Sequence, residues 1–158
     1  MTRIDDLFRS YELLATVLIP GVAAPTAGDI GRASESLGLF IPDEFAEFLK
    51  RFFDRQPPFW ETLRVPASVG AACGVDIISE NLFMRSRHPA TLRRCLLFNN
   101  GGAGEYGCFL YSEDGRLLGV GVWRQYDDPD AFPTVLWPSF CDWLADEIAR
   151  LREQSVHG

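Results

Sequence analysis

The chain has 158 residues, of which 47% are hydrophobic and 13% aromatic, which excludes an intrinsically disordered chain and favours one domain. Its formal net charge of −7 disfavours nucleic-acid binding through a broad basic face and would suit a basic protein partner. No apolar run reaches the length of a membrane span, and the apolar segment 11–27 lacks the basic flank of a signal peptide, so we expect no membrane association and a cytoplasmic protein.

Helical patterns dominate the first third of the chain. Residues 4–19 form an amphipathic pattern that stops at Pro20, and a short helix is predicted from Asp29 to a C-terminal stop at Gly38. A third helix, 42–53, is the clearest of the three. Its apolar stripe consists of Phe45, Phe48, Leu49 and Phe52.

Strand patterns follow. One short strand is predicted at 62–65 and a helix at 75–87, before the apolar strand 94–98. Alternation over 106–111 and 117–123 predicts a hairpin that turns at residues 113–115. Two glycines on one face of its second arm, Gly119 and Gly121, leave room for an aromatic ring or a helix to approach closely.

The C-terminal part reads as an acidic turn, a short strand at 134–137 and a helix over 139–152 that Ser139 and Asp142 cap. The order of elements predicts an α+β fold with N-terminal helices, a central, mostly antiparallel meandering sheet and a C-terminal helix packed on it. We expect a single domain, 1–158, with a helical extension (1–25), a core (26–152) and a tail (153–158).

The stretch NNGGAGEYG, residues 99–107, has neither dinucleotide-binding nor P-loop spacing. Two interpretations remain open: a sharp turn between strands in which glycine and asparagine supply positive φ, or a loop that contacts a partner. The turn residues are Asn100, Gly101, Gly102 and Gly104.

Catalytic and metal-binding patterns are weak. The two histidines, His88 and His157, are predicted to be exposed loop residues outside any acid–base cluster, and no G-x-S-x-G motif occurs. The four cysteines lack C-x-x-C spacing and are expected to be reduced core residues. We therefore predict no catalytic residue, no metal site and no cofactor. The cysteines are Cys73, Cys95, Cys108 and Cys141.

Interface-type residues cluster after the hairpin. Trp, Arg and Tyr in the segment 123–126 are typical binding anchors, and the carboxylates around them would attract a basic protein. The alternative is that these acidic residues only keep the loops solvated. The candidate binding residues are Glu105, Trp123, Arg124, Tyr126, Asp127, Asp128 and Asp130.

Four stretches together resemble the SUKH superfamily of bacterial immunity proteins and cell-wall regulators: SLGLFIPDEFAEFLKRF, LFNNGGAGEYGCFLY, GVGVWRQYDDPD and LWPSFCDWLADEI. The resemblance runs from about residue 29 to residue 150, so residues 4–19 look like an addition to it. It implies a SUKH-like fold and a non-enzymatic module that neutralises a cognate toxin, such as a nuclease, by direct contact. The alternatives are a regulatory or scaffold module of the same fold without a toxin, and a small enzyme with an unrecognised site. The oligomeric state is left open.

Overall fold

The computed structural model describes residues 2–58, 61–66 and 75–157. Cys73 therefore lies outside the described residues. The helices are α1 (Arg3–Glu12), α2 (Ala27–Leu37), α3 (Asp43–Arg51), α4 (Ile77–Arg87), α5 (Pro89–Leu92) and α6 (Phe140–His157). The strands are β1 (Val17–Leu18), β2 (Arg55–Gln56), β3 (Glu61–Thr62), β4 (Cys95–Gly102), β5 (Glu105–Tyr111) and β6 (Leu117–Arg124).

The main sheet has four strands in the order β3-β4-β5-β6, and every neighbouring pair is antiparallel. A separate two-stranded antiparallel sheet joins β1 to β2. Helices thus surround an antiparallel meander, and a C-terminal helix follows it, so the α+β class predicted from the sequence is confirmed. None of the helices in the described ranges has both the length and the apolar character needed to cross a membrane.

The core is a cluster of aromatic rings between α3, α6 and the sheet. The rings of Phe98 and Phe109, on neighbouring strands, are stacked with centroids 4.4 Å apart. Phe45 of α3 lies 5.3 Å from Phe140 of α6, and Trp143 lies 4.8 Å from Phe98. The apolar stripe predicted for α3 is buried here, as are Phe140 and Trp143 of α6, so the predicted packing of the C-terminal helix on the sheet is confirmed.

The opposite face of the sheet is covered by α4, which two polar side chains hold in place. Buried Asn81 donates from Nδ2 to Leu97 O at 2.9 Å and accepts from Leu97 N at 2.8 Å. Arg85 donates to the backbone carbonyls of Leu37, Leu92 and Cys95, and its burial lowers the pKa of the guanidinium. These bonds satisfy carbonyls that would otherwise be buried without partners.

The predicted helix over 4–19 is wrong in its second half. The N–H groups of Leu14 and Ala15 both bond to Tyr11 O at 2.9 Å, so the chain turns there, and Val17 and Leu18 pair with β2. The buried ring of Tyr11, packed 4.6 Å from Phe52, fixes the helix end against α3. The β-branched residues that follow favour the extended conformation.

The C-terminal elements also differ from the prediction. Helix α6 continues to His157, so residues 153–157 are helical instead of a tail. The predicted strand 134–137 forms only an isolated bridge between Trp137 and Val120. The close approach predicted at Gly119 and Gly121 is made by the backbone of this segment instead of a ring or a helix. A Cβ atom on Gly121 would lie 2.5 Å from Thr134 O.

Candidate functional site

The glycine-rich stretch forms one end of the β4–β5 hairpin. Gly102 pairs with Glu105, so only Ala103 and Gly104 form the turn, with φ of 52° and 75°, as in a type I′ turn. Gly102 has φ of 85°, and its N–H donates to Asn100 Oδ1 at 3.0 Å. Asn100 and Gly101 lie within β4 without positive φ, so the prediction that they supply it is wrong.

Tyr126 connects the hairpin turn to the loop that follows β6. The Tyr126 ring lies so close to Gly104 that a Cβ atom there would overlap it. Gln125 N also donates to Gly104 O at 2.8 Å. The Tyr126 side chain nevertheless remains 76% exposed. The two loops singled out in the sequence therefore do meet at one end of the sheet.

Trp123, a predicted anchor, is a core residue. It is only 1% exposed, its Nε1–H donates to Pro129 O at 2.9 Å, and its ring lies 5.4 Å from that of His88. His88 is consequently half-buried against Trp123, with Nδ1 3.4 Å from Asp130 Oδ1, and is not the exposed loop residue expected. Trp123 is therefore removed from the candidate contact surface.

Glu105 and Arg124 form a pair across neighbouring strands. They are directly opposite in the register of β5 and β6, and Arg124 Nε lies 3.2 Å from Glu105 Oε1. Both side chains are more than half exposed, where such a pair contributes about 0–1 kcal/mol. The pair is electrically neutral, so Glu105 adds no net charge to the surface.

The remaining acidic candidates stay open to solvent. Asp127 and Asp128 are exposed, and neither forms an ion pair with the residues that the structure describes. The Asp130 side chain is 86% exposed and lies 3.4 Å from the half-buried His88, while the Asp130 backbone oxygen accepts from Thr91 Oγ1. These three carboxylates are the free negative charge of the loop.

Two further acids, Glu61 and Glu80, lie near Tyr106 on the face of the sheet that α4 covers, and sequence reasoning missed them. The register places Glu61, Asn100, Tyr106 and Trp123 in one row across the sheet. Tyr106 OH donates to Glu80 Oε1 at 2.9 Å. The pKa of Tyr106 is raised, mainly because the phenol is buried and next because it bonds to Glu80. Tyr126 and Glu61 contribute less. Only strand register could have revealed this row.

Exposed apolar side chains follow the acidic residues 127–130 along the chain. Leu136 N donates to Val120 O at 2.9 Å, which holds the segment along the edge of β6. Leu136 is 56% exposed, and Phe132 and Val135 are exposed beside it. A groove of about 310 Å³ lies between this segment and β6, with Arg124 and Asp128 among its lining residues. We refer to residues 126–136 as the acidic arm.

A cleft of about 260 Å³ opens on the other face of the sheet, beside α6. The row that faces it contains Thr62, Asn99, Gly107 and Val122. We call it the Asn99 cleft. It is lined by Asn99, Gly101, Glu105, Tyr106, Gly107, Val122, Trp137, Trp143, Glu147 and Arg150.

Asn99 is one of the buried polar residues whose side-chain oxygen lacks a hydrogen-bond partner among the described residues, and Thr62, opposite it in the same row, is another. Asn99 is 4% exposed, and its Oδ1 atom has no hydrogen-bond partner in the described part of the chain. Buried Asn81, by contrast, bonds through both its amide nitrogen and its oxygen. An unsatisfied buried acceptor costs about 1–3 kcal/mol, so Asn99 is where the cleft lacks a donor.

The rim of the Asn99 cleft carries charges that pair with each other. Arg150 contacts both oxygens of Glu147, at 3.3 and 2.6 Å, and Trp137 Nε1 donates to Asp146 at 2.6 Å. Val122 lines both this cleft and the groove of the acidic arm, so the two openings adjoin each other.

The three cysteines in the described ranges are buried, and the pKa of two of them is raised. Cys95 donates to Thr91 O, and burial raises the pKa of Cys108. Burial, together with Glu44 at 2.7 Å, raises the pKa of Cys141 to about 12. Within the described ranges, no three His, Cys, Asp or Glu side chains come together as metal ligands.

No family model and no curated protein sequence matches the chain. The resemblance to the SUKH superfamily therefore rests on the four motifs in the sequence.

Proposed function

We propose that this chain is a non-enzymatic protein-binding module that acts like an immunity protein, neutralising a cognate toxin by direct contact in the cytoplasm. Its acidic arm contacts a basic partner, such as a nuclease, and the contact shields the partner's active site. The proposal is supported by the resemblance of four motifs to the SUKH superfamily. It includes the proposal that the chain has the SUKH fold. Nucleic acid and membrane are not partners in this scheme.

One observation carries the proposal: large exposed side chains adjoin unpaired carboxylates on the acidic arm. Tyr126 and Leu136 are 76% and 56% exposed, and Asp127 and Asp128 lie in the same loop. Protein interfaces combine aromatic and apolar anchors with charges that speed the encounter of the partners. The proposed anchor is thus Tyr126, in place of the Trp123 predicted from the sequence.

The test begins with the tagged chain as bait in cells of its source, followed by purification of the captured basic protein. Isothermal titration calorimetry then compares the wild type with Tyr126→Ala/Leu136→Ser. We expect the double variant to lose about tenfold or more in affinity, because exposed anchors supply most of the binding energy. A matched control is Leu13→Ser/Leu18→Ser, which removes two other exposed leucines, 78% and 68% exposed, outside the acidic arm.

Growth assays decide between the alternatives. Co-expression of the wild type should protect cells from the captured protein, and the Tyr126→Ala/Leu136→Ser variant should protect them poorly. Binding without any toxicity of the partner would favour the regulatory module. Equal affinities of the wild type and both double variants would contradict the assignment of the acidic arm.

A further inference from the structure

We propose that the Asn99 cleft accepts an arginine side chain of the basic partner, an inference that rests on the proposed function and assigns a second contact to it. The cleft contains one acceptor without a donor among the described residues and two carboxylates, each of which pairs with an arginine of this chain. Asn99 Oδ1 is buried without a donor, and the carboxylates of Glu105 and Glu147 line the same opening. Among the lining residues only Arg150 is a cation, and it faces Glu147.

A guanidinium group fits this arrangement better than other side chains do. It carries five N–H donors and no acceptor, so it can supply Asn99 Oδ1 and a carboxylate at once. Its planar cation also packs favourably against tryptophan, and Trp137 and Trp143 both line the cleft. The exposed pair of Glu105 with Arg124 can exchange partners, because such pairs are weak.

The way into the cleft is kept open by Gly101. This residue lacks positive φ, and a Cβ atom there would meet nothing closer than Glu105 O at 3.6 Å. Neither backbone conformation nor packing requires glycine at this position. A longer side chain at 101 would instead occupy the opening that Gly101 lines.

The position of the cleft suits a partner seated on the acidic arm. Val122 lines both the cleft and the arm's groove, and the pair of Glu105 with Arg124 lies between the two openings. A partner attracted by Asp127 and Asp128 can therefore reach around β6 with a long side chain. Arginine has both the length and the charge for this contact.

The experiment titrates the isolated protein with N-acetyl-L-arginine amide and follows two-dimensional ¹H–¹⁵N NMR spectra. We expect saturable shifts of the Trp137 and Trp143 indole N–H, the Asn99 amide and the Gly101 backbone N–H. The dissociation constant should lie in the millimolar range. The corresponding citrulline and lysine compounds should bind about fivefold more weakly or worse, because one lacks the charge and the other the planar fork.

Two variants test the site itself. Gly101→Leu fills the opening and Asn99→Leu removes the orphan acceptor, so each should abolish the arginine shifts while spectral dispersion reports an intact fold. The control is Thr16→Leu, a polar-to-leucine change at an exposed position that does not line the cleft, which should leave binding unchanged. Equal binding of arginine and citrulline, or unchanged binding by both cleft variants, would overturn the proposal.

Failure of this inference is distinguishable from failure of the proposed function, because the titration needs no partner protein. Absence of arginine shifts alongside weakened partner binding by the acidic-arm variant would refute the cleft assignment alone. Arginine binding with no effect of the acidic-arm variant would support the cleft and refute the contact role of the arm.

Discussion

Gly101 and Gly102 are neighbours in β4, but only Gly102 adopts a conformation that side chains disfavour, with φ of 85°. The turn interpretation, in which glycine supplies positive φ, therefore holds at Gly102 and not at Gly101. We predict that Gly102→Val lowers the free energy of unfolding by roughly 1–3 kcal/mol through backbone strain, whereas Gly101→Val changes it little. Thermal and urea denaturation of both variants measure the difference. Equal losses in both would show that the bulge conformation is not the cause.

The segment WRQY shows why side-chain exposure could not be derived from residue type. Trp123 and Tyr126 are both plausible anchors, yet one is buried and the other is 76% exposed. The alternation along β6 placed Trp123 on the face of Gly119 and Gly121, and glycines on a strand face indicate a closely packed neighbour. That pattern already favoured a core position for Trp123, and the interface interpretation overlooked it.

The orphan acceptor of Asn99 could not be predicted from the sequence either. Asn99 and Asn100 are identical residues in a turn-like stretch, and the sequence suggested positive φ for the second. The β-bulges in β4 put Asn99 in the row facing α6 and Asn100 in the row facing α4. Which of the two becomes buried depends on register, which no local signal specifies.

The N-termini of several helices are closed by the same motif, a capping box. In α1 and α2 an N-cap threonine accepts from the N3 backbone while an N3 aspartate accepts from the N-cap N–H. Ser139 and Asp142 bond at the start of α6 as the sequence predicts, with Asp142 N donating to Ser139 Oγ at 3.2 Å. The boxes at Thr2 and Thr26 were missed, because the predicted helices began at residues 4 and 29 instead of at Arg3 and Ala27, the first residues after these caps.

These caps predict a dependence of stability on pH. The backbone N–H of Thr26, followed by Arg32 and the Thr26 hydroxyl, holds the pKa of Asp29 below its ordinary value of 3.8. A lowered pKa in the folded state means that the stabilisation is present above pH 3.8 and is lost as the pH falls through the folded-state pKa. We therefore expect Asp29→Asn to lower the melting temperature at neutral pH. The difference from the wild type should shrink as the pH falls below 3.8.

A matched control for this effect lies on the same helix. Glu35→Gln removes a carboxylate of α2 that forms no side-chain ion pair in the described ranges, so its melting temperature should follow the wild type across the same pH range. Calorimetric scans between about pH 2 and pH 7 cover the range in which the Asp29 carboxylate loses its charge. A constant difference between Asp29→Asn and the wild type at every pH would exclude linkage to the carboxylate.

The long, strongly patterned elements were predictable and the short ones were not. The stripe of α3, the alternation of β5 and β6 and the apolar run of β4 each contain enough residues to define a period. Strands β1, β2 and β3 have two residues each, and only their partners make them strands. The end of α1 depends likewise on how Tyr11 packs, which is a tertiary effect.

The chain has a net charge of −7, and its acidic side chains differ in whether a basic side chain pairs with them. Some acidic side chains pair with arginine, as Asp142 does with Arg3 at 2.7 Å and Glu105 with Arg124. Asp127 and Asp128 remain unpaired within the described residues and lie beside the exposed ring of Tyr126. A basic partner approaching this surface would therefore meet two unpaired carboxylates next to an exposed aromatic ring at the acidic arm.

Association kinetics measure this distribution directly. We predict that Asp127→Lys/Asp128→Lys slows association with the captured basic partner by about tenfold at low salt and flattens the salt dependence of the rate. Glu35→Lys/Glu153→Lys changes the net charge equally at exposed positions outside the arm, so a smaller effect there separates local from overall electrostatics. Stopped-flow fluorescence at several ionic strengths gives the association rates of the wild type and of both double variants.

Since screening at about 1 M salt limits charge interactions to roughly 3 Å, all three proteins should associate at similar rates there. An equal slowing by both double variants at low salt would mean that the partner responds to total charge, and the acidic arm would then have no special part in the encounter.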